Sequence, residues 1–257
     1  GKGILGMKTA QEDIVEHFVP AMTHDDLFFF TDSGKVFRAQ AFEIPEGVRV
    51  ARGRGLLNFL EISSEDKILS LIASSKKDRE ESKYLVMGTQ NGIIKKTATE
   101  GFANVRRSGL IAITLKKGDF LRKVVKTSGA DEIIIVTRKG QAIRFNEKDL
   151  REMGRQAAGI RGIRLKKGDE VVGMGVIEPS AKTASKNVSK PDKKYLLVLT
   201  ENGYGKRTEI EDYRLQKRGG SGIKTGKVTP KTGAICAARV LSNEEDLIVI
   251  SQKGQVI

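Results

Sequence analysis

Four polar stretches of this chain mix arginine with glycine: Arg52-Gly53-Arg54-Gly55, Arg106-Arg107-Ser108-Gly109, Arg155 through Arg161-Gly162, and Lys217-Arg218-Gly219-Gly220. A guanidinium forks onto phosphate oxygens, and glycine lets backbone N–H groups come close to an anion. The chemistry on offer is therefore capture of a polyanion rather than bond making. Further cations stand in or beside the same stretches or in the runs that precede them: Lys2, Lys35, Arg38, Arg49, Lys95, Lys96, Arg144, Arg164, Lys206, Arg207 and Arg214. The whole chain carries 46 Lys+Arg against 32 Asp+Glu, a net +14. Basic residues that recur at one place in a repeated unit are an electrostatic footprint for nucleic acid. For any single arginine, solvating a loop or bonding a carbonyl between neighbouring units is the plainer role. Phe102 and Tyr213 are the aromatics near these stretches. Such scarcity argues against stacking of unpaired bases and for a duplex.

Nothing comparable points to catalysis. His17 and His24 have no cysteine partner, so no metal site is expected. Neither G-x-x-x-x-G-K-[ST] nor G-x-S-x-G occurs. Asp25-Asp26 and Glu244-Glu245 read as turn charges beside strands. We expect no catalytic residue, no metal and no cofactor in this chain. The single cysteine, Cys236, excludes an internal disulfide framework and fits a reducing cytoplasm. Its neighbours, Ala234-Ile235 and Ala237-Ala238, make it read as a small buried hydrophobe. No apolar run reaches the roughly 18 residues of a membrane span, and there is no secretory signal.

The elements that hold the basic stretches are strands. The clearest unit opens with Ile133-Ile134-Ile135-Val136-Thr137, turns at Arg138-Lys139-Gly140 and returns through Ala142-Ile143-Arg144-Phe145. β-branched residues suit a pleated, half-buried surface, and the turn glycine supplies the positive φ of a tight hairpin. A long arginine-bearing connection follows, then a strand at 163–167, a Gly168-Asp169 turn and the run Val171 to Val176. Leu115-Lys116-Lys117-Gly118-Asp119 is repeated identically at 165–169. Turn glycines Gly34, Gly92, Gly140, Gly203 and Gly254 stand 58, 48, 63 and 51 apart. Without the charged insertion at 74–82 and the Ser/Lys/Ala-rich stretch at 179–194, read as a mobile loop, the period is near fifty, as for propeller blades. We expect one all-β domain: the end of a first blade at 1–22, with a strand over 14–19; full blades at 25–73, 82–127, 130–178 and 194–242, with strands near 56–62 and 68–72 in the first of these; and the start of a last blade at 245–257. Stacking the sheets around an axis leaves only short protected edges; a β-sandwich array is the alternative. With 5% aromatics and no tryptophan the core should be aliphatic.

Over nearly its whole length the chain resembles the C-terminal domain of DNA gyrase A. The resemblance is carried by Thr89-Gln90-Asn91-Gly92 with Lys95-Lys96-Thr97, by Gly159-Ile160-Arg161-Gly162-Ile163-Arg164-Leu165, and by Asn202-Gly203-Tyr204-Gly205-Lys206-Arg207-Thr208. Gln216-Lys217-Arg218-Gly219-Gly220-Ser221-Gly222 is similar to the glycine-rich box that marks gyrase among its relatives. The resemblance implies a six-bladed β-pinwheel, a propeller-like ring whose strands are exchanged between blades. It implies that double-stranded DNA is wrapped on a basic rim with positive handedness. The rest of gyrase A together with gyrase B, using ATP and Mg2+ elsewhere, would then introduce negative supercoils in a bacterial cytoplasm. In the family the box belongs to the first blade. Here Gly1-Lys2-Gly3 resemble its last residues, and the full copy, with Gln216, Gly219, Gly220 and Gly222, sits in a later blade. Either the chain, which reads as a fragment of something longer, starts inside the principal box or it has an extra one. The family's cleaving tyrosine belongs to a separate upstream domain, so none of Tyr84, Tyr195, Tyr204 and Tyr213 is assigned to cleavage. Two alternatives stand beside this reading: the matching domain of topoisomerase IV, and a propeller scaffold for an acidic protein.

Overall fold

A computed structural model describes residues 4–5, 19–44, 59–75, 81–179, 193–242 and 255–256. The expectations for Lys2, Arg49, Arg52, Arg54, most of a strand at 14–19 and most of the 179–194 loop lie outside the described residues. The described strands are β1 (Ile4–Leu5), β2 (Asp26–Thr31), β3 (Lys35–Gln40), β4 (Ile68–Ser74), β5 (Tyr84–Thr89), β6 (Ile93–Ala98), β7 (Leu110–Ile111), β8 (Leu121–Thr127), β9 (Glu132–Thr137), β10 (Gln141–Asn146), β11 (Ile160–Arg161), β12 (Val171–Ile177), β13 (Lys194–Thr200), β14 (Gly205–Glu209), β15 (Leu215–Gln216), β16 (Ile223–Lys224), β17 (Ile235–Ser242) and β18 (Gln255–Val256). The hairpins β2–β3, β5–β6, β9–β10 and β13–β14 turn at the predicted glycines. Residues 59–62, the described part of the strand expected near 56–62, are not one. The chain is an all-β pinwheel: strand order is β4-β2-β3-β7, β8-β5-β6-β11, β12-β9-β10-β15 with β16 also on β10, and β17-β13-β14.

In the second, third and fourth units the third strand does not stay at home. β7 belongs to the second unit and pairs with β3 of the first. β11 of the third pairs with β6 of the second, and β16 of the fourth with β10 of the third. The expected five-residue strand at 163–167 is instead the two residues of β11, because Ile163 and Gly162 both give their N–H groups to Gly92 O and leave the ladder there. In every exchange the residue after a turn glycine is the partner: Lys35 with Ile111, Ile93 with Arg161, Gln141 with Lys224. β18 follows Gly254, and Gln255 pairs with Leu5 in the same register. The last described strand thereby returns to the first.

Glycines preceding the exchanged strands make this possible. Gly222 has φ 72°, and a Cβ there would lie 2.4 Å from Ala142 O; Gly159 has φ 88°, with Ile94 O at 2.7 Å. Only a residue without a Cβ holds that conformation this close to the neighbour's strand. These glycines serve strand exchange, not approach of an anion.

At the opposite edge of the sheets, β4, β8, β12 and β17 pack on one another in sequence. Three hydrophobic clusters fill the spaces between successive sheets, and a fourth covers the outer face of the first. They are largely aliphatic, but Phe30, Phe37, Phe102 and Phe145 are among the largest fully buried side chains. The expectation of a purely aliphatic core is corrected to that extent. Cys236 is exposed, not buried: Ile235 faces the core, and strand alternation turns its neighbour outward. Among the described residues no helix is long and apolar enough to cross a membrane.

Candidate nucleic-acid interface

Because β7, β11, β15 and β16 are the outermost strands of their sheets, the basic connections that lead into them run along the outer edges. The cations on and around those edges divide into two sets. Arg106, Arg161, Arg164, Arg214 and Lys217 are exposed, and their side chains have no partner among the described residues. They are free to meet a phosphate.

The second set is turned inward in the first three units, while its fourth member, Arg207, stays exposed. Arg38, Lys96, Arg144 and Arg207 all stand four residues after a turn glycine. Arg38 pairs with Asp26 at 2.7 Å and donates to Ala103 O of the next unit at 3.2 Å. Arg144 pairs with Glu132 at 2.6 Å and donates to Ile210 O at 2.9 Å and Tyr213 O at 3.2 Å. Lys96 lies 3.7 Å from the Glu147 carboxylate, donates to Glu147 O and sits 4.8 Å from the Tyr84 ring centroid. Arg207 lies over Tyr195 at 4.4 Å. In the first three units this residue latches its own hairpin to the 3-10 turn, or the residue just after it, in the next unit. Lys95 is fully buried and Lys96 is 7% exposed, so neither is available to a duplex. The expectation of DNA contact is corrected for these two. Arg38 and Arg144 are held by carboxylates and carbonyls and face the gaps between sheets.

Other predicted residues are partly engaged. Arg155 donates to Ile111 O at 3.0 Å, and Arg218 to Asp149 O and Arg161 O at 3.1 and 3.0 Å. Arg107 meets Glu43 at 2.5 Å and covers Phe59; the Gln40 amide, followed by Arg107, holds the Glu43 carboxyl below its ordinary range. Lys35 makes an exposed pair with Asp66, and Lys206 donates to Thr225 O. In the glycine-rich box, Gln216 lies in β15 beside β10, while Gly219 N donates to Gly162 O and Gly220 O accepts from Arg164 N. Gly222 makes the close approach described above. The box is thus a fastening between the third and fourth units that leaves Lys217 outside.

Lys116, Lys117, Lys166 and Lys167 are exposed beside the same edges and were not among the predicted contacts. The duplication of their pentapeptide was the available signal. Its aspartate has a separate task. Asp119 accepts from Thr89 Oγ1 and Asn91 N, and Asp169 from Thr137 Oγ1 and Lys139 N, so each braces its own hairpin turn. Phe102 and Tyr213 are buried and cannot stack on bases. Among the described residues no group of three or more His, Cys, Asp or Glu is placed to hold a metal ion.

The family model of the DNA gyrase C-terminal domain, beta-propeller, matches residues 25–75, 83–128, 131–178 and 194–242. The DNA gyrase A protein of Staphylococcus epidermidis is 40% identical over the whole chain, which covers 27% of that protein. Its counterpart in Staphylococcus aureus MRSA252 is 39% identical, with 28% of it covered. The chain thus spans about a quarter of the length of these relatives. Among solved structures, a DNA gyrase A C-terminal domain superposes with a TM-score of 0.79 at 25% identity, covering 100% of this chain and 79% of that one. The C-terminal domain of a DNA topoisomerase IV gives 0.75 at 25% identity, covering 91% and 69%.

Proposed function

We propose that this chain, which belongs to the DNA gyrase C-terminal domain family, binds duplex DNA along the outer edges of its sheets and bends it from one sheet to the next. The observation that carries this reading is the recurrence, on successive outer edges, of exposed cations with no partner among the described residues: Arg106, then Arg161 and Arg164, then Arg214 and Lys217. Cations spaced along one curved edge attract a stiff polyanion at several points at once. Bending a 20–30 bp duplex by 40–90° costs about 1–6 kcal/mol, which several phosphate contacts offset. Sequence would enter mainly through deformability.

In the whole protein the domain would present a wrapped segment to the rest of gyrase A and to gyrase B. ATP and Mg2+ would act there, and negative supercoils would result, in a bacterial cytoplasm at the nucleoid. No tyrosine of this chain has a cleavage role in this proposal: Tyr84 and Tyr195 lie under cations, and the Tyr213 hydroxyl is buried against Thr225.

A salt titration of duplex affinity tests the proposal. The log–log slope should be about −0.9 per phosphate neutralised, and an affinity indifferent to salt would sink it. Ligation of nicked circles should trap a linking change. The likeness to a topoisomerase IV domain favours a second reading. A whole enzyme carrying this domain that relaxes DNA without supercoiling it would establish that one instead.

A further inference from the structure

We infer that Lys95 is a positioning residue: it anchors the arginine-bearing connection of the third unit against the second and so fixes where that connection offers its cations to a duplex. The inference rests on the DNA-binding reading above. Lys95 Nζ donates to Ala112 O at 2.5 Å, to Gly154 O at 3.1 Å and to Arg155 O. An ammonium has three N–H donors, and all three are used. Ala112 directly follows β7, the strand that the second unit lends to the first sheet. Gly154 and Arg155 lie in the connection that the third unit sends over the second sheet. One buried ammonium therefore ties together the two exchanges on either side of it.

The same seam is stitched elsewhere. Thr114 Oγ1 donates to Gln156 O at 2.6 Å, Thr114 N to Ala157 O at 3.3 Å, and Met153 N to Lys96 O at 2.9 Å. A side chain needed only to fill space at this position would be apolar. Phe37 and Ile143 stand there, three residues after the turn glycine, in the first and third units, and both are buried. Lys206 occupies the position in the fourth unit, and it donates to Thr225 O at 3.1 Å, the counterpart of Ala112 O. Where lysine takes this place it takes that carbonyl. Burial of a charge is costly unless its donors are satisfied. Desolvation, followed by the charge of Arg155, pushes Lys95 down to about 7.

The test compares this chain with its Lys95→Met and Ile143→Met variants. Lys95→Met should lose duplex protection at the third unit, and its salt slope should become shallower by about 0.9 for each phosphate released. Amide exchange over residues 151–159 should quicken by about tenfold or more. Ile143→Met should change none of these. Arg155 is the charged group facing Lys95 from the connection; Met87 across β5 and Ala112 after β7 carry no charge. The difference in duplex affinity between the natural chain and Lys95→Met should therefore shrink as pH rises from 6 to 9. A folded Lys95→Met with the natural protection pattern, slope and exchange overturns the inference. If that variant does not fold, Thr114→Val removes one exposed stitch of the same seam and should loosen 151–159 alone; unchanged exchange there overturns it equally. Should the natural chain not bind duplex, the functional reading has failed, while the exchange measurement still judges the anchor.

Discussion

Arg38 and Lys96 occupy the same place in successive units, yet the joints they make differ in kind. Between the first and second sheets Arg38 is held by Asp26, and a cavity of about 180 Å³ remains beside the pair, lined by Phe28, Ile72, Leu85 and Phe102. Between the second and third sheets Lys96 is buried under Tyr84 and against Glu147, whose carboxylate is fully buried and also accepts from Thr127 Oγ1, Gly129 N and Asp131 N. Between the third and fourth the first pattern returns, with Arg144, Glu132 and a cavity of about 170 Å³. Other positions alternate in step. Asp26 and Glu132 stand eight residues before their turn glycines, where Tyr84 and Tyr195 stand in the second and fourth units. Phe37 and Ile143 alternate with Lys95 and Lys206. The units thus come in pairs. A joint with an open ion pair tolerates a gap; a joint with buried charge must satisfy every donor and acceptor.

Breaking the buried joint should have the largest effect. Glu147→Ala strands the Lys96 ammonium and three donors, and should cost about 3–5 kcal/mol in chemical denaturation. The open joint should yield less: Arg144→Ala should cost about 1.5–3 kcal/mol, the range for hydrogen bonds to a charged group. A cost equal to that of Glu147→Ala would erase the distinction between joints. Comparable in size over its full window is the pH effect of Lys95 at the buried joint. Lys95 is depressed from 10.5 to about 7 in the fold, so above pH 7 the unfolded chain binds the proton more strongly than the native one. Stability should therefore rise with pH from about 7 towards 10.5, and Lys95→Met should remove the share of Lys95 while leaving that of Lys123, which desolvation also lowers. Least of all, Arg106→Ala with Arg161→Ala should leave stability within about 0.5 kcal/mol per site, while the salt slope for duplex becomes shallower by about 0.9 for each phosphate no longer neutralised. A stability loss of several kcal/mol would move these two into the inward set.

Much of this was legible in the residues. The alternating runs around Gly34, Gly92, Gly140 and Gly203 located the hairpins, because a pleated strand has a period of two and a tight turn needs a particular residue. The arginine-glycine connections were found by the same repetition. The inward set was not found. Arg38 and Arg144 share their unit position with the surface-looking Arg207, and spacing along a strand says which face a side chain takes but not what lies across that face. One hint was present: Asp26 and Glu132 each precede an arginine by 12 residues, the separation of diagonal neighbours across these hairpins.

By itself the sequence determined the local matters: the hairpins, turn position, net charge and the period of the units, all of which depend on residues near one another in the chain. Only the tertiary structure decided which strand completes which sheet, and hence which cations are spent on carbonyls and which face water. Those choices join residues some 40–70 positions apart, and at that separation it is packing and desolvation, rather than local preference, that select the partner.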